Sequence, residues 1–107
     1  MENNQMLQEL YACATMCNMC YNACLNEEDI NMMTRCIELD RECSEMCLIT
    51  ASALARDSEN KEKYFRICAD LCQACAEECE KHENDHCNKC AEQCKRCAEM
   101  CNQHATA

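Results

Sequence analysis

The stretch CADLCQACAEEC, residues 68–79, spaces four cysteines by steps of four, three and four residues. Such steps place side chains on one face of an α-helix, which has about 3.6 residues per turn. At about 100° per residue, the four cysteines fall within an arc of roughly 60°. The stretch therefore predicts a helix that carries a stripe of thiols along one side.

The same spacing begins again at Cys13 and at Cys90. A fourth stripe is incomplete: in CIELDREC, residues 36–43, the repeat predicts a cysteine at position 40, but the chain has Asp40. We therefore expect four stripes of thiols that face one another. Together they contain all 16 cysteines: Cys13, Cys17, Cys20, Cys24, Cys36, Cys43, Cys47, Cys68, Cys72, Cys75, Cys79, Cys87, Cys90, Cys94, Cys97 and Cys101.

The composition favours helix throughout. The chain has no glycine and no proline, the residues on which tight turns depend, while helix formers such as Ala, Glu, Leu, Met and Lys are plentiful. The polar stretches NEED (26–29), RDSEN (56–60) and HEND (82–85) suit helix caps and short turns. Short connections favour antiparallel neighbours, so we expect an all-α, up-down-up-down four-helix bundle with a cysteine-lined core.

The length of 107 residues is that of one small domain. We therefore expect a single four-helix-bundle domain over residues 1–107. Its core of large apolar side chains is thin, because the chain has only one Phe and three Tyr. The predicted helices span residues 4–25, 29–55, 59–81 and 85–103, approximately.

Charge and hydropathy exclude several kinds of partner. The net charge of −10, from 20 acidic and 10 basic residues, disfavours nucleic acid and anionic membranes. No apolar run approaches the roughly 20 residues of a membrane span. The first residues, MENNQMLQEL, lack the basic and apolar regions of a secretory signal. We therefore expect a cytoplasmic protein, whose thiols are kept reduced.

Two interpretations of the cysteines need no metal. Buried cysteine acts as a small hydrophobic residue, but here 16 of them in register largely displace leucine and isoleucine. Disulfides within a stripe would strain the helix, because residues i and i+4 have Cβ atoms about 5–6 Å apart and a disulfide needs about 3.5–4.5 Å. Disulfides between helices remain geometrically allowed.

Metal binding is the third interpretation, and the spacing selects the metal. Structural zinc sites usually place CxxC pairs on turns, and iron–sulfur clusters use runs such as CxxCxxCxxxCP, which the chain lacks. Soft thiolates select Cu(I), and a CxxxC pair places two sulfurs close enough to hold one Cu(I) ion. The chain has seven such pairs: Cys13/Cys17, Cys20/Cys24, Cys43/Cys47, Cys68/Cys72, Cys75/Cys79, Cys90/Cys94 and Cys97/Cys101.

The segments CIELDRECSEMC (36–47), CADLCQACAEECEKH (68–82) and DHCNKCAEQCKRCAEMC (85–101) resemble the copper storage proteins, cysteine-rich four-helix bundles of bacteria. The resemblance is to the cytosolic type and extends over nearly the whole chain. It implies a bundle that holds many Cu(I) ions on thiolates, with tetramers common. It also implies that the 14 cysteines of the CxxxC pairs are ligands, joined by Cys36 and Cys87.

Soft side chains other than cysteine are predicted at the end of the bundle where the first and third helices end. Met32 and Met33 lie there on one hairpin, and His82 and His86 on the other. We interpret this end as a mouth for copper; ordinary packing for the methionines and solvated loop positions for the histidines are the alternatives. The other end is predicted to be an apolar plug of Leu10, Leu54, Tyr64 and Phe65.

Asp40 stands in a cysteine position, so the repeat predicts that it faces the core. There it would be a secondary ligand to copper or a proton acceptor during loading. The alternative is that Asp40 turns outward and pairs with Arg35 or Arg41.

The function favoured by these patterns is the storage or sequestration of many Cu(I) ions by cysteine thiolates. The alternative is a thiol-rich redox buffer or oxidant sensor whose cysteines cycle through disulfides. We do not expect an enzyme, because the sequence supports neither a nucleophile–base pair nor an open catalytic metal site.

Overall fold

The computed structural model describes residues 2–105, which contain four α-helices and no strand. Each helix packs against two others: the first against the second and fourth, and the third against the same two. The bundle is a rod of 44 × 21 × 18 Å. The predicted all-α four-helix bundle is confirmed. Its helices are α1 (Asn3–Leu25), α2 (Thr34–Ala55), α3 (Lys61–Cys79) and α4 (Asp85–His104).

The helix boundaries differ from the predictions mainly at the connections. Residues Ile30–Met33 form a short 3-10 helix, so α2 begins at Thr34 rather than at position 29. The third helix is two residues shorter at each end than the predicted 59–81. At its C-terminus the Lys81 N–H bonds to the Glu78 carbonyl at 3.1 Å, the tighter turn with which helices commonly end.

The C-terminus of α2 is capped without glycine. Asp57 has a φ of 54°, in the left-handed region that favours glycine and that aspartate enters more readily than most residues. Its N–H bonds to the Leu54 carbonyl at 3.1 Å, and the Ser58 N–H bonds to the Ala53 carbonyl at 2.9 Å. These are the hydrogen bonds of a Schellman motif, and they turn the chain sharply toward α3.

The core of the bundle consists mainly of cysteine and alanine. All 16 cysteines are fully buried. At the end away from the α1–α2 and α3–α4 connections, Leu10, Leu54 and Phe65 are also buried, which confirms most of the predicted apolar plug; Tyr64 is only half-buried. None of the helices in residues 2–105 is both long and apolar enough to cross a membrane.

Candidate metal centre

The interior of the bundle is a continuous column of thiols. Within residues 2–105, which contain every cysteine of the chain, no disulfide forms. Sulfur atoms on different helices nevertheless lie close together: Cys43 Sγ is 3.4 Å from Cys72 Sγ, and Cys17 Sγ is 3.5 Å from Cys94 Sγ. These separations far exceed the roughly 2.05 Å of a disulfide bond, so they join free thiols.

Sulfur atoms along this column form groups in which all four lie within 4.8 Å of one another. Neighbouring groups share members, since Cys13 belongs to two of them and Cys17 and Cys94 also belong to two. A shared thiolate can bridge two soft metal ions, so the column suits a multinuclear metal–thiolate cluster better than isolated sites. We call these the deep groups: Cys13/Cys47/Cys72/Cys97, Cys13/Cys17/Cys43/Cys94 and Cys17/Cys75/Cys90/Cys94.

The column continues to the apolar plug at the far end of the bundle. Cys68 Sγ lies 3.8 Å from Cys47 Sγ and 3.9 Å from Cys72 Sγ. Cys101 interacts with Cys68 and Cys97. The CxxxC pairs of the four helices therefore face one another along the whole bundle, as their spacing predicted.

At the other end of the column, three thiols and one imidazole converge. The Nδ1 atom of His86 is 3.5 Å from Cys20 Sγ, 3.5 Å from Cys87 Sγ and 3.9 Å from Cys24 Sγ. These four ligand atoms all lie within 4.8 Å of one another, and we call them the mouth cluster. Cys36 adjoins it, with its Sγ 3.9 Å from Cys24 Sγ.

The remaining residues of the predicted mouth take different positions. His82 does not face the thiols, because its Nε2 is hydrogen-bonded to Glu78 Oε2 at 3.0 Å. Met33 is buried in the core, whereas Met32 is 66% exposed. Of the four predicted residues, His86 joins a group of thiols that could hold a metal ion.

Sequence reasoning missed the carboxylates that hold both histidines. Glu78 lies in the last turn of α3, four residues before His82, so helical spacing could have predicted this pair. Glu27 lies on the other hairpin, and its Oε1 is 3.1 Å from His86 Nε2. No sequence signal connects two residues 59 positions apart in the chain.

Asp40 faces the core and is fully buried. Four thiols surround its carboxyl group: Cys75 and Cys90 at 3.2 and 3.4 Å, and Cys36 and Cys79 at 3.8 and 3.9 Å. Burial, followed by the charges of Cys90 and Cys75 when ionised, raises the pKa of Asp40 to about 11. In the metal-free bundle this carboxyl group is therefore protonated at neutral pH.

The alternative in which Asp40 turns outward is wrong. Arg35 pairs instead with Glu78, with 3.3 Å between Nε and Oε1. Arg41 pairs with Glu45 on its own helix, at 3.6 Å. Both arginine side chains lie on the outside of the bundle, about two-thirds exposed.

Burial also raises the pKa of thiols at the mouth. The pKa of Cys24 lies well above its usual range because of burial and the neighbouring charges of Cys36 and Cys87. Burial, followed by the charge of Cys36, raises the pKa of Cys87 to about 12. These thiols are neutral near pH 7, so a metal ion binds them by releasing protons.

Solved structures with this fold include copper-loaded proteins. The chain is similar to the Cu(I)-bound copper storage protein BsCsp3, with a TM-score of 0.92 and 38% identity over 96% of this chain and 97% of that chain. It is also similar to a cytosolic copper storage protein from Streptomyces lividans loaded with five coppers, with a TM-score of 0.93 and 32% identity over 98% of this chain and 92% of that chain.

The sequence comparisons agree with the structural ones. An uncharacterized cysteine-rich protein of Bacillus subtilis (strain 168), YhjQ, is 42% identical over 75 residues, which are 70% of this chain and 69% of that protein. The family model Csp, described as copper storage protein, matches residues 1–106. The chain therefore belongs to the copper storage protein family.

Proposed function

We propose that this chain binds and stores many Cu(I) ions inside the bundle through cysteine thiolates. The observation that carries the proposal is the column of 16 fully buried thiols, with sulfur atoms of different helices as close as 3.4 Å. Cu(I) is a soft ion that prefers sulfur ligands. Membership of the copper storage family favours this function over the alternative of a redox buffer based on disulfides.

All 16 cysteines are proposed as ligands, because each lies in the column and none is exposed. Buried charge is costly unless it is compensated. One Cu(I) between two thiolates leaves one net negative charge, whereas about one Cu(I) per bridging thiolate leaves the core neutral. The proposed full load is therefore on the order of 16 ions per chain, with roughly one proton released for each ion.

Copper is proposed to enter at the mouth cluster. His86 is partly exposed and faces three thiols, so it is the first soft ligand at this end. Asp40 lies next along the column and is proposed as a secondary ligand; because its carboxyl group is protonated in the metal-free bundle, it would first have to release its own proton before it could bind copper or accept a proton during loading. His82 and Met33 are proposed to support this end of the bundle rather than to bind copper, and Met32 is proposed to remain in solvent.

We propose a single-domain, non-catalytic protein of the cytoplasm. The support for the location is the cytosolic relative from Streptomyces lividans. We also propose a homo-oligomer, a tetramer by family resemblance. Large apolar side chains on the outer surface support this assembly, with between 44% and 48% of each exposed: Tyr11, Leu48, Ile49 and Ile67.

An anaerobic titration of the reduced protein with Cu(I), in the presence of a competing chelator, tests the function. Storage predicts ultraviolet absorption from copper–thiolate bonds, tight binding of many ions and an unchanged far-ultraviolet circular dichroism spectrum. A redox protein would instead lose free thiols under mild oxidant and leave the copper on the chelator.

A further inference from the structure

The mouth cluster differs in its ligands from the deep groups. It offers three sulfur atoms and the Nδ1 of His86, whereas each deep group offers four sulfur atoms. Three cysteines and one histidine are a donor set of structural zinc sites. This set is assembled from both hairpins, since Cys20 and Cys24 belong to α1 whereas His86 and Cys87 belong to α4.

The distances in the mouth cluster match the edges of a tetrahedron around zinc. With Zn–S of about 2.3 Å and Zn–N of about 2.0–2.1 Å, tetrahedral geometry requires N···S edges of about 3.5 Å and S···S edges of about 3.8 Å. The His86 Nδ1 lies 3.5, 3.5 and 3.9 Å from the three sulfurs, and Cys20 Sγ lies 3.9 Å from Cys24 Sγ. Four of the six edges therefore lie within about 0.4 Å of the tetrahedral values, and Cys87 Sγ lies within 4.8 Å of the other two sulfurs.

The outer side of His86 is also arranged as in metal sites. Its Nε2 lies 3.1 Å from Glu27 Oε1. An ionised carboxylate only accepts hydrogen bonds, so Nε2 is the donor to Glu27 and Nδ1 is the ring nitrogen placed to bind a metal ion among the thiols. A carboxylate that accepts a hydrogen bond from a metal-binding histidine fixes the orientation of the ring and raises the basicity of the nitrogen that binds the metal.

Charge favours the mouth cluster over the deep groups for a divalent ion. A divalent ion with four thiolates leaves two net negative charges, and in the deep groups all the ligands are fully buried. With three thiolates and a neutral imidazole, only one negative charge remains. The His86 side chain is 23% exposed, so water can solvate part of that charge.

We propose that Cys20, Cys24, Cys87 and His86 form a tetrahedral site for one divalent metal ion of the zinc class. Glu27 orients the His86 ring by accepting a hydrogen bond from its Nε2. The site stands on this geometry and does not depend on the storage of Cu(I). A zinc ion there would occupy the route by which copper reaches the column. Cu(I) would have to displace it before loading begins.

Co(II) is a suitable probe, because its visible absorption reports tetrahedral coordination by thiolates. We expect the reduced full-length protein to bind one Co(II) per chain with an intense tetrahedral spectrum, and Zn(II) to displace it. His86→Ala and Cys24→Ser each remove a ligand, so each should weaken Co(II) binding by at least about tenfold. Loss of a residue that only supports a ligand already costs about 10-fold to 100-fold. Glu27→Ala should weaken Co(II) binding by about 10-fold to 100-fold.

His82→Ala and Cys72→Ser are the matched controls, since neither residue belongs to the mouth cluster; both should retain the spectrum. Circular dichroism of each variant establishes that the bundle is folded. A wild-type protein without a tetrahedral Co(II) spectrum would overturn the proposal. So would a spectrum that survives His86→Ala but disappears in Cys72→Ser, because the ion would then lie in a deep group.

Discussion

The thiol of Cys75 on α3 donates a hydrogen bond to Oδ1 of Asp40 on α2 across 3.2 Å. This contact holds a carboxyl group inside a column otherwise lined by sulfur. On α2, Asp40 lies between Cys36, which adjoins the mouth cluster, and Cys43, which belongs to a deep group. Copper that enters at the mouth, as proposed, would therefore pass this carboxyl group on its way to the deep groups.

Asp40→Asn should change the rate of copper loading or its dependence on pH, with a modest effect on the final capacity. The amide keeps the size of the side chain but cannot release a proton and become a carboxylate ligand as copper binds. Stopped-flow measurements of Cu(I) uptake across a pH series would test this, with the exposed Asp70→Asn as control. Equal rates for Asp40→Asn and the unmodified protein at every pH would exclude a role for the carboxyl group in copper handling.

Asp40 should also make the copper-free bundle less stable as pH rises. Its pKa is about 11 in the folded protein and near 4 in an unfolded chain. Between these values the folded state binds one more proton, so the free energy of unfolding falls by up to about 1.4 kcal/mol per pH unit. Denaturant unfolding measured over roughly pH 5 to 9 should show that the free energy of unfolding falls less steeply with pH in Asp40→Asn than in the unmodified protein. Identical pH dependence of the two proteins would contradict this.

Copper should raise the melting temperature strongly. The column of cysteines buries little apolar area, and a ligand that binds only the folded bundle stabilises it by mass action. The copper-free protein is still expected to be helical. Thermal unfolding under anaerobic conditions with increasing Cu(I) measures the shift, and an unchanged melting curve at full load would count against binding in the core.

Glu78→Gln should destabilise the bundle by about 1 kcal/mol. The Glu78 side chain is only 9% exposed and pairs with Arg35, Lys81 and His82. Because Arg35 belongs to α2, the Glu78 carboxylate connects α2 to the end of α3. Glu77→Gln, at the exposed neighbouring position, should change stability by less than about 0.5 kcal/mol. Equal denaturation midpoints for the two variants would show that these ion pairs contribute nothing.

The helical stripes of cysteine and the inward direction of Asp40 could be predicted from the sequence, because a strict spacing on a helix fixes which side chains share a face. The alternating direction of the helices predicted most of the apolar plug, because it places Leu10, Leu54 and Phe65 at the same end of the bundle. Local spacing also predicted that the CxxxC pairs would face one another in a bundle of antiparallel helices.

The connections could not be predicted in the same way. The 3-10 helix Ile30–Met33 depends on how one hairpin closes over the core, and periodicity carries no information about that. The pairing of His86 with Glu27 brings the first turn of α4 against the connection between α1 and α2, which is distant in the chain. Met32 and Met33 are adjacent and identical in the sequence, yet one is exposed and the other is buried.

The copper content at saturation tests the central claim most directly. Reduced protein is titrated anaerobically with Cu(I), and copper, protein and released protons are counted at the end point. Neutralisation of the buried thiolates predicts on the order of 16 copper ions per chain and roughly one proton for each. Saturation at about seven or eight ions, one for each CxxxC pair, would contradict the account of a neutral cluster with bridging thiolates.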